Sequence, residues 1–333
     1  MRSLLLLSLV FFSTNAFLLN KETIERVLQE PSKLAGSRRE FQELSSNAMG
    51  HNTAELIFEG SRAQPGQFPS QAFIHYNTSS GDFHRCGGTL ISTTHILTAA
   101  HCTQYMIAPA IIMVGAVNVQ DFSANAQWRN IHSFFSHPQW DPRDPDYNND
   151  IAVVEFSPPV DLNTDVQLTK IVSDDTDLLT VPTATISGYG VYNYNNGIGY
   201  ESNNLLYTVV NRYSSTYCNN SWDGTVTEKQ ICAGAANRGT GSGDSGGPLQ
   251  VSYNQELYQI GLLSFGTTDK HNVQYHQDKL PSVFTRISQY CGFIDTATNG
   301  AANCGSVTPA VPTPTPPAGC PPPPPCHCNV LFK

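Results

Sequence analysis

The sequence has few charged side chains, and most of those are acidic. Among 333 residues there are 18 lysines and arginines against 27 aspartates and glutamates, which gives a net charge of −9. Segment 1–56 holds six of each sign, so the whole acidic excess lies in 57–333. Because nucleic acids and anionic membrane surfaces attract basic proteins, binding to either is disfavoured.

Long hydrophobic runs are equally scarce. One candidate extends from Leu4 to Phe12 after a single arginine and is followed by the small residue Ala16. It is too short to span a bilayer, and its pattern predicts a secretory signal peptide over 1–16. We therefore expect a secreted, extracellular protein without a membrane segment, in which nine cysteines can form disulfides and the sequons at Asn77 and Asn219 can carry glycans.

The rest of the chain divides by composition into three parts. Residues 17–56 are polar and charged, and we interpret them as a propeptide. Residues 57–304 contain short β-branched and aromatic runs separated by turn residues, which predicts an all-β barrel or sandwich with helix only before Cys218 and around Ile287–Thr296. Residues 305–333 are rich in proline and cysteine and predict a disordered, extended tail.

Three short segments carry the residue types of nucleophilic catalysis. They are Thr98–Cys102, Asn148–Val153 and Gly241–Leu249. A serine hydroxyl such as that of Ser245 becomes a nucleophile when an imidazole, here His101, takes its proton, and a carboxylate such as Asp150 orients the imidazole and stabilises its cation. The N–H groups of Gly243 and Ser245 would then bind the oxyanion of the tetrahedral intermediate.

These segments, together with Ile57–Gly60 and Ser264–Gly266, resemble the motifs of the chymotrypsin/trypsin family of secreted serine endopeptidases. They occur in the family's order of histidine, aspartate and serine, and the similarity extends over about residues 57–297. The resemblance implies two six-stranded antiparallel β-barrels with a C-terminal helix and a catalytic cleft between the barrels. It implies no metal ion or organic cofactor, and Ala116 stands where calcium-binding relatives carry a carboxylate.

Two other classes of function compete with this interpretation. One is a non-catalytic secreted binding protein of the same fold, for which the proline-rich tail would serve association. Labelling by an organophosphate or a sulfonyl fluoride separates the two, because only an activated Ser245 reacts. A lipase or esterase is disfavoured because the histidine of those enzymes follows the serine, whereas His101 precedes Ser245. For a peptidase we expect protein or peptide substrates and protein inhibitors as partners.

The resemblance also implies a disulfide framework. The pairs are Cys86–Cys102 and Cys218–Cys232 from the family pattern, with Cys291–Cys304 as a further pairing. Three tail cysteines then remain (Cys320, Cys326 and Cys328), so one should be free or form an intermolecular disulfide. Gly241 stands where many relatives carry one cysteine of a bridge across the specificity pocket, so that constraint is missing.

The primary specificity pocket is implied at Gly239, Thr240, Gly266 and Ser282. Gly239 replaces the aspartate that holds a basic side chain in trypsin-like relatives, so cleavage after lysine or arginine is disfavoured. The open mouth at Gly266 predicts cleavage after phenylalanine, tyrosine, leucine or methionine. Elastase-like preference for small residues is the alternative, since Ser282 shortens the far end. Asp269 or Asp278, in a long loop, could instead fold towards the pocket and restore basic specificity.

Supporting roles are implied in the same way. Ser264 is expected to hydrogen-bond Asp150. Tyr147 and Phe265 are expected to line further subsites, and Trp222 to form the rim of the pocket.

Activation of the precursor is implied to free an amine at Ile57 that pairs with Asp244. The residue before this bond is Leu56, where relatives commonly carry arginine or lysine. We therefore expect cleavage by an enzyme that favours apolar residues, which could be this protein itself. A first cut at Arg38-Arg39 followed by trimming is the rival route.

Overall fold

The computed structural model of the protein describes residue 58 and the ranges 60–123 and 125–308. The expected signal peptide, the propeptide, Ile57 and the tail beyond residue 308 with its three cysteines lie outside the described residues. The strands are β1 (Ser61–Arg62), β2 (Gln71–Asn77), β3 (Phe83–Ser92), β4 (His95–Thr98), β5 (Ile107–Val114), β6 (Gln127–Ser136), β7 (Ala152–Ser157), β8 (Thr183–Gly188), β9 (Val191–Asn195), β10 (Ile198–Glu201), β11 (Leu206–Arg212), β12 (Gln230–Gly234), β13 (Pro248–Tyr253), β14 (Glu256–Phe265) and β15 (Ser282–Arg286).

The first barrel consists of β2 to β7, closed in the order β2-β3-β4-β7-β6-β5 with antiparallel neighbours. Its strands are rich in β-branched and aromatic residues, and successive side chains point to opposite faces. Ile74, Leu90, Ile112, Val154 and Phe156 meet inside the barrel and are at most 1% exposed. Removing these apolar side chains from water is the main force that stabilises the closed sheet.

The second barrel consists of β8 and β11 to β15. Its order is β11-β12-β15-β14-β13-β8, and β8 pairs back onto β11 to close it. Leu178, Leu206, Leu249 and Val251 fill its interior and are fully buried. Strand β1 extends the sheet at β11, and β9 and β10 form a separate hairpin. Two six-stranded antiparallel barrels confirm the predicted fold.

The helices are short. They are α1 (Ala100–Thr103), α2 (Ser215–Ser221), α3 (Lys270–Tyr275) and α4 (Cys291–Ala297), with 3₁₀ turns at Leu178–Thr180 and Ile287–Tyr290. Helices α2 and α4 occupy the two predicted regions. Helices α1 and α3 lie outside them, so the expectation that helix occurs in those two regions only was wrong. The side chain of Asp269 starts α3 by accepting a hydrogen bond from Asn272 N at 2.8 Å. Within the described ranges no helix is long and apolar enough to cross a bilayer.

Glycine backbones let the two barrels approach closely. On β3, Gly87 N donates to the Ser245 carbonyl at 2.7 Å, and a Cβ on Gly87 would lie 2.9 Å from Gly247 Cα. A Cβ on Gly246 would lie 2.1 Å from Thr98 Oγ1, at the end of β4. Since a side chain at either position would collide, glycine is what allows the Ser245 loop to lie against the first barrel.

Candidate active site

His101 and Asp150 are held together by strand pairing. Thr98 at the end of β4 lies opposite Ala152 at the start of β7, so the residues that follow and precede these strands meet. Asp150 Oδ2 accepts a hydrogen bond from His101 Nδ1 at 2.8 Å, and Oδ1 accepts one from the His101 backbone N–H at 2.9 Å. With its proton on Nδ1, the neutral ring keeps Nε2 free to accept another.

Asp150 is completely buried, and hydrogen bonds compensate its lost hydration. Besides the two bonds from His101, Ser264 Oγ donates to Oδ2 at 2.6 Å, as the resemblance implied. Thr285 Oγ1 donates to the main-chain carbonyl of Asp150 at 2.8 Å. Ser264 and Thr285 belong to the second barrel, so both barrels fix this carboxylate.

The pKa of His101 is raised above its ordinary value. Burial of the ring favours the neutral form and acts to lower the pKa, but the charge of Asp150 and its hydrogen bond outweigh burial. A stabilised imidazolium is what a general base needs, because the ring must carry a proton during the reaction.

The main chain of Ser245 and the Nε2 atom of His101 both contact the sulfur of Cys102. Cys102 Sγ contacts both residues, at 3.8 Å from His101 Nε2 and 3.7 Å from the Ser245 carbonyl oxygen. In the described residues the His101 ring is hydrogen-bonded to Asp150 and not to Ser245 Oγ. Such bonds are often long in a free enzyme and tighten when substrate binds.

The loop before Ser245 presents two backbone donors. Among the described residues, the N–H groups of Gly243 and Ser245 donate to no other backbone group, so both are available to an oxyanion. Gly243 has φ of 93°, and a Cβ there would lie 3.1 Å from Cγ and Cδ of Arg85 and 3.2 Å from Gly190 Cα. The positive φ favours glycine at this position, and the tight contacts would add to the strain of any side chain there.

The sequence matches the family model of trypsin over residues 57–294. The chain belongs to the trypsin family of serine endopeptidases. It is 30% identical over 255 residues to chymotrypsin-like elastase family member 1 of Rattus norvegicus, which covers 74% of this chain and 93% of the relative. It is 31% identical over 253 residues to chymotrypsin-C of Mus musculus, with 73% and 89% covered. The serine endopeptidase activity predicted from the motifs is thereby confirmed.

The peptidase contains a second buried carboxylate directly before Ser245. Asp244 is 3% exposed, and its oxygens accept hydrogen bonds from Gly190 N at 2.7 Å and Gly241 N at 2.8 Å. Burial raises the pKa of Asp244 to about 6, against the lowering effect of these two donors and of nearby Arg85. A further cation beside Asp244 would therefore stabilise its ionised form.

Three disulfides are present among the described residues, and they join the pairs named from the sequence. They are Cys86–Cys102, Cys218–Cys232 and Cys291–Cys304. The first ties α1, which carries His101, to β3. The second ties α2 to β12, and the third ties α4 to the segment that follows it. A cysteine at position 241, as in relatives with a bridge across the pocket, would not fit here, since a Cβ on Gly241 would lie 2.0 Å from the Val191 carbonyl oxygen.

The residues expected to form the specificity pocket lie together. Gly266 is exposed at the mouth, and a Cβ there would lie 3.4 Å from Ser282 Oγ. The Thr240 and Ser282 hydroxyls are 2.7 Å apart, and Ser282 is only 2% exposed. Sequence reasoning missed Gln277, whose side chain hydrogen-bonds both Thr240 and Ser282. No motif marks Gln277, because it lies in a loop longer than that of typical relatives.

The carboxylates of the two aspartates in that loop differ in their partners. Asp269 is the N-cap of α3. The Asp278 main-chain carbonyl accepts a hydrogen bond from the Tyr217 hydroxyl at 2.7 Å, and its carboxylate Oδ1 is buried without a hydrogen-bond partner among the described residues. The loop side chain that hydrogen-bonds Thr240 is that of Gln277, which is uncharged.

An aromatic surface extends from the His101 ring. The Tyr147 ring lies 6.3 Å from the His101 ring and 5.4 Å from the Phe265 ring. Trp222 meets Phe265 edge-on at 5.2 Å. Tyr147, Phe265 and Trp222 thus lie together beside the pocket, where the resemblance implied further subsites and a rim.

The two sequon asparagines lie on opposite barrels. Asn77 ends β2 and Asn219 lies in α2, and both are half-buried. The Oδ1 atom of each is buried without a hydrogen-bond partner. Glycosylation at these positions stays a prediction.

Proposed function

We propose that Ser245 is the nucleophile of this serine endopeptidase, that His101 is its general base and that Asp150 orients His101. The observation that supports these roles most strongly is the position of His101. Its Nδ1 is bound to a buried, fully hydrogen-bonded carboxylate, and its Nε2 and the Ser245 main chain both contact Cys102 Sγ. A ring held in this way can accept a proton only at Nε2, which is the atom that would take the Ser245 proton.

The chemical step follows from this arrangement. Ser245 Oγ attacks the scissile carbonyl carbon while His101 Nε2 takes its proton, and the carbonyl electron pair moves to the oxygen held by the N–H groups of Gly243 and Ser245. The amine leaves with the proton from His101, and an acyl-enzyme on Ser245 remains. Water then repeats the sequence, releases the new carboxyl terminus and restores Ser245.

The pocket favours an uncharged residue before the scissile bond. Gly239 supplies no carboxylate, and the polar groups near it are the neutral side chains of Thr240, Gln277 and Ser282. A lysine or arginine side chain would lose its hydration here without gaining a partner charge, which costs several kcal/mol, on the order of 2–5. We propose that cleavage after basic residues is strongly disfavoured.

The depth of the pocket decides whether large or small apolar side chains are preferred before the scissile bond. The exposed mouth at Gly266 is compatible with phenylalanine, tyrosine, leucine or methionine. The contact between Thr240 and Ser282, and the burial of Ser282 and Gln277 at 2% exposure each, favour the elastase-like alternative, because they close the pocket a short distance below its mouth. We propose that short uncharged side chains, such as alanine and valine, are preferred.

A panel of chromogenic peptides that differ only in the residue before the scissile bond tests this proposal. The expected order of kcat/KM is alanine and valine first, then leucine, then phenylalanine, with arginine last. A preference for phenylalanine or tyrosine would restore the expectation from Gly266, and fastest cleavage after arginine would contradict both.

We also propose that activation frees the amine of Ile57 for Asp244. Ile57 lies outside the described residues, but the next residue supports the pairing: Phe58 is 3% exposed, packs with Val191 and stacks on Tyr194 at 6.1 Å. Val191 directly follows Gly190, which donates to Asp244. Arg85, the cation near Asp244, is ion-paired with Glu201, and an ammonium group here would add a positive charge paired directly with the Asp244 carboxyl.

The test of activation is N-terminal sequencing of active material secreted by cells that express the full chain. We expect the active form to begin at Ile57 and the tripeptide ending at Ala16 to mark the signal cleavage in the precursor. A start well away from Ile57, as after a cut at Arg38-Arg39 without trimming, would contradict cleavage after Leu56. Retention of the whole protein in cell membranes would contradict secretion.

A further inference from the structure

Gln277 occupies the place where the base of the specificity pocket would otherwise be formed. It follows α3 by two positions and is 2% exposed. A Cβ built on Gly239 would lie 1.9 Å from Gln277 Oε1 and 2.1 Å from Cδ. The volume available to a side chain at Gly239 is therefore already filled by the amide of Gln277.

The amide is fixed by four hydrogen bonds. Oε1 accepts from Thr240 N at 3.1 Å and from Ser282 Oγ at 2.9 Å, and Nε2 donates to the carbonyls of Thr240 at 2.7 Å and Val273 at 2.8 Å. These use both donors and both lone pairs of the side chain. Since a backbone N–H can only donate and a carbonyl only accept, the bonds to Thr240 determine which way the amide is turned.

The amide of Gln277 orients the hydroxyl of Ser282. Ser282 Oγ uses its single proton to donate to Gln277 Oε1. The Thr240 hydroxyl, 2.7 Å from Ser282 Oγ, must then be the donor in that contact. Gln277, Ser282 and Thr240 form a layer, which we call the pocket floor, and its polar groups are paired with one another.

The hydrogen bonds of Gln277 also link the two sides of the pocket, which many relatives join by a disulfide that this chain lacks. Thr240 lies on one side of the expected pocket, and Val273 in α3 and Ser282 at the start of β15 lie on the other. Relatives link these segments through a cysteine at the position of Gly241, whereas here the Gln277 side chain links them. Without it, the two sides would still be joined by the contact between Thr240 and Ser282 and by the hydrogen bond from Asn237 N to the Tyr275 carbonyl at 3.1 Å.

We propose that Gln277 is a specificity-determining residue, which closes the pocket beneath Ser282 and so restricts the enzyme to short uncharged side chains. The inference rests on the proposed pocket and deepens it by naming the residue that sets its depth. It does not depend on any residue of the catalytic centre.

The test compares Gln277→Ala and Gln277→Leu with the wild type. Three p-nitroanilide peptides, identical except for alanine, leucine or phenylalanine before the scissile bond, serve as substrates. Active-site titration with a sulfonyl fluoride corrects each rate for the fraction of folded enzyme. Gln277→Ala should raise the phenylalanine-to-alanine ratio of kcat/KM at least about tenfold, the scale on which pocket volume acts on apolar substrates. Gln277→Leu fills the same volume and should leave that ratio within about threefold of the wild type.

An unchanged ratio in Gln277→Ala, or an equal loss for all three substrates, would overturn the proposal, since either result means a purely structural role. If Gln277→Ala does not fold, Gln277→Asn retains the amide, shortens it by one methylene and should shift the ratio in the same direction by about threefold. Failure of the proposed substrate preference would appear separately, as a wild-type preference for phenylalanine. The change caused by Gln277 is measured relative to that wild type.

Discussion

The catalytic centre and the pocket floor are built in different ways. In the centre, His101, Asp150 and Ser245 each stand in a motif at the end of a strand, and barrel pairing brings the motifs together. In the pocket floor, Gln277 comes from a loop without a motif and reaches Thr240 across 37 residues of sequence. On the proposed assignments, the reaction depends on strand ends that carry family motifs, whereas the choice of substrate depends on a single side chain from a loop without a motif.

The largest expected loss of activity follows from replacing the Asp150 carboxylate of the catalytic centre. Asp150→Asn should lower kcat/KM by roughly 10³–10⁴ for every substrate, because the ring loses its orientation and its stabilising charge. Activity requires neutral His101 and is lost as the pH falls through its pKa. Since Asp150 raises that pKa, the acid limb of the pH profile should move to lower pH in the variant. Kinetics as a function of pH measure both effects.

The control for this variant is Asp141→Asn. Asp141 forms an exposed ion pair with Arg143 at 2.9 Å, and such surface pairs contribute little. Its pH profile should match the wild type. A similar shift in both variants would mean that the general loss of negative charge, and not the contact with His101, controls the profile.

The second effect concerns the oxyanion donors. Gly243→Ala should lower kcat by roughly 10²–10³, because φ of 93° is strained for alanine and a Cβ would be tightly packed against Arg85 and Gly190, so that the N–H group is displaced. Gly292→Ala, where a Cβ meets nothing within 4 Å, is the matched control and should retain full activity. Unchanged kcat in Gly243→Ala would contradict the placement of the oxyanion there.

The third prediction compares the catalytic centre with the pocket floor by replacing one buried serine in each. Ser264→Ala removes a hydrogen bond to the Asp150 carboxylate and should lower kcat/KM for all substrates equally, by about tenfold. Ser282→Ala removes a hydroxyl from the pocket floor and should raise the leucine-to-alanine ratio about threefold. If both variants changed the ratio, or neither did, the division between centre and floor would fail.

The smallest effect lies at the start of the loop that carries Gln277. Asp269→Ala removes the cap of α3 and should cost about 1 kcal/mol of local stability, with little change in rate on an alanine substrate. Limited proteolysis should then show faster cutting within the loop. A loss of rate like that of Asp150→Asn would show that the loop acts on the centre.

The short apolar runs predicted an all-β barrel or sandwich, and the family resemblance implied the two six-stranded barrels that the structure confirms. His101, Asp150 and Ser245 were named from motifs whose chemistry demands those residue types, and their catalytic roles stay a proposal. The same approach identified Ser264 and the disulfide pairs through the family resemblance.

Gln277 could not be predicted for a physical reason. Its role depends on the path of a loop that is longer than in relatives, and on volume left empty at Gly239, which no local pattern encodes. Helix α3 had one usable signal, since Asp269 is a favourable N-cap residue. Helix α1 has four residues, too few to show a helical period.

The most direct measurement of the central claim is covalent labelling of the processed enzyme by a sulfonyl fluoride, followed by mapping of the modified peptide. We expect stoichiometric modification of Ser245, loss of all turnover, and a label that disappears in a folded Ser245→Ala variant. A processed, folded wild type that is not labelled, or a label that persists in Ser245→Ala, would contradict an activated Ser245 beside His101.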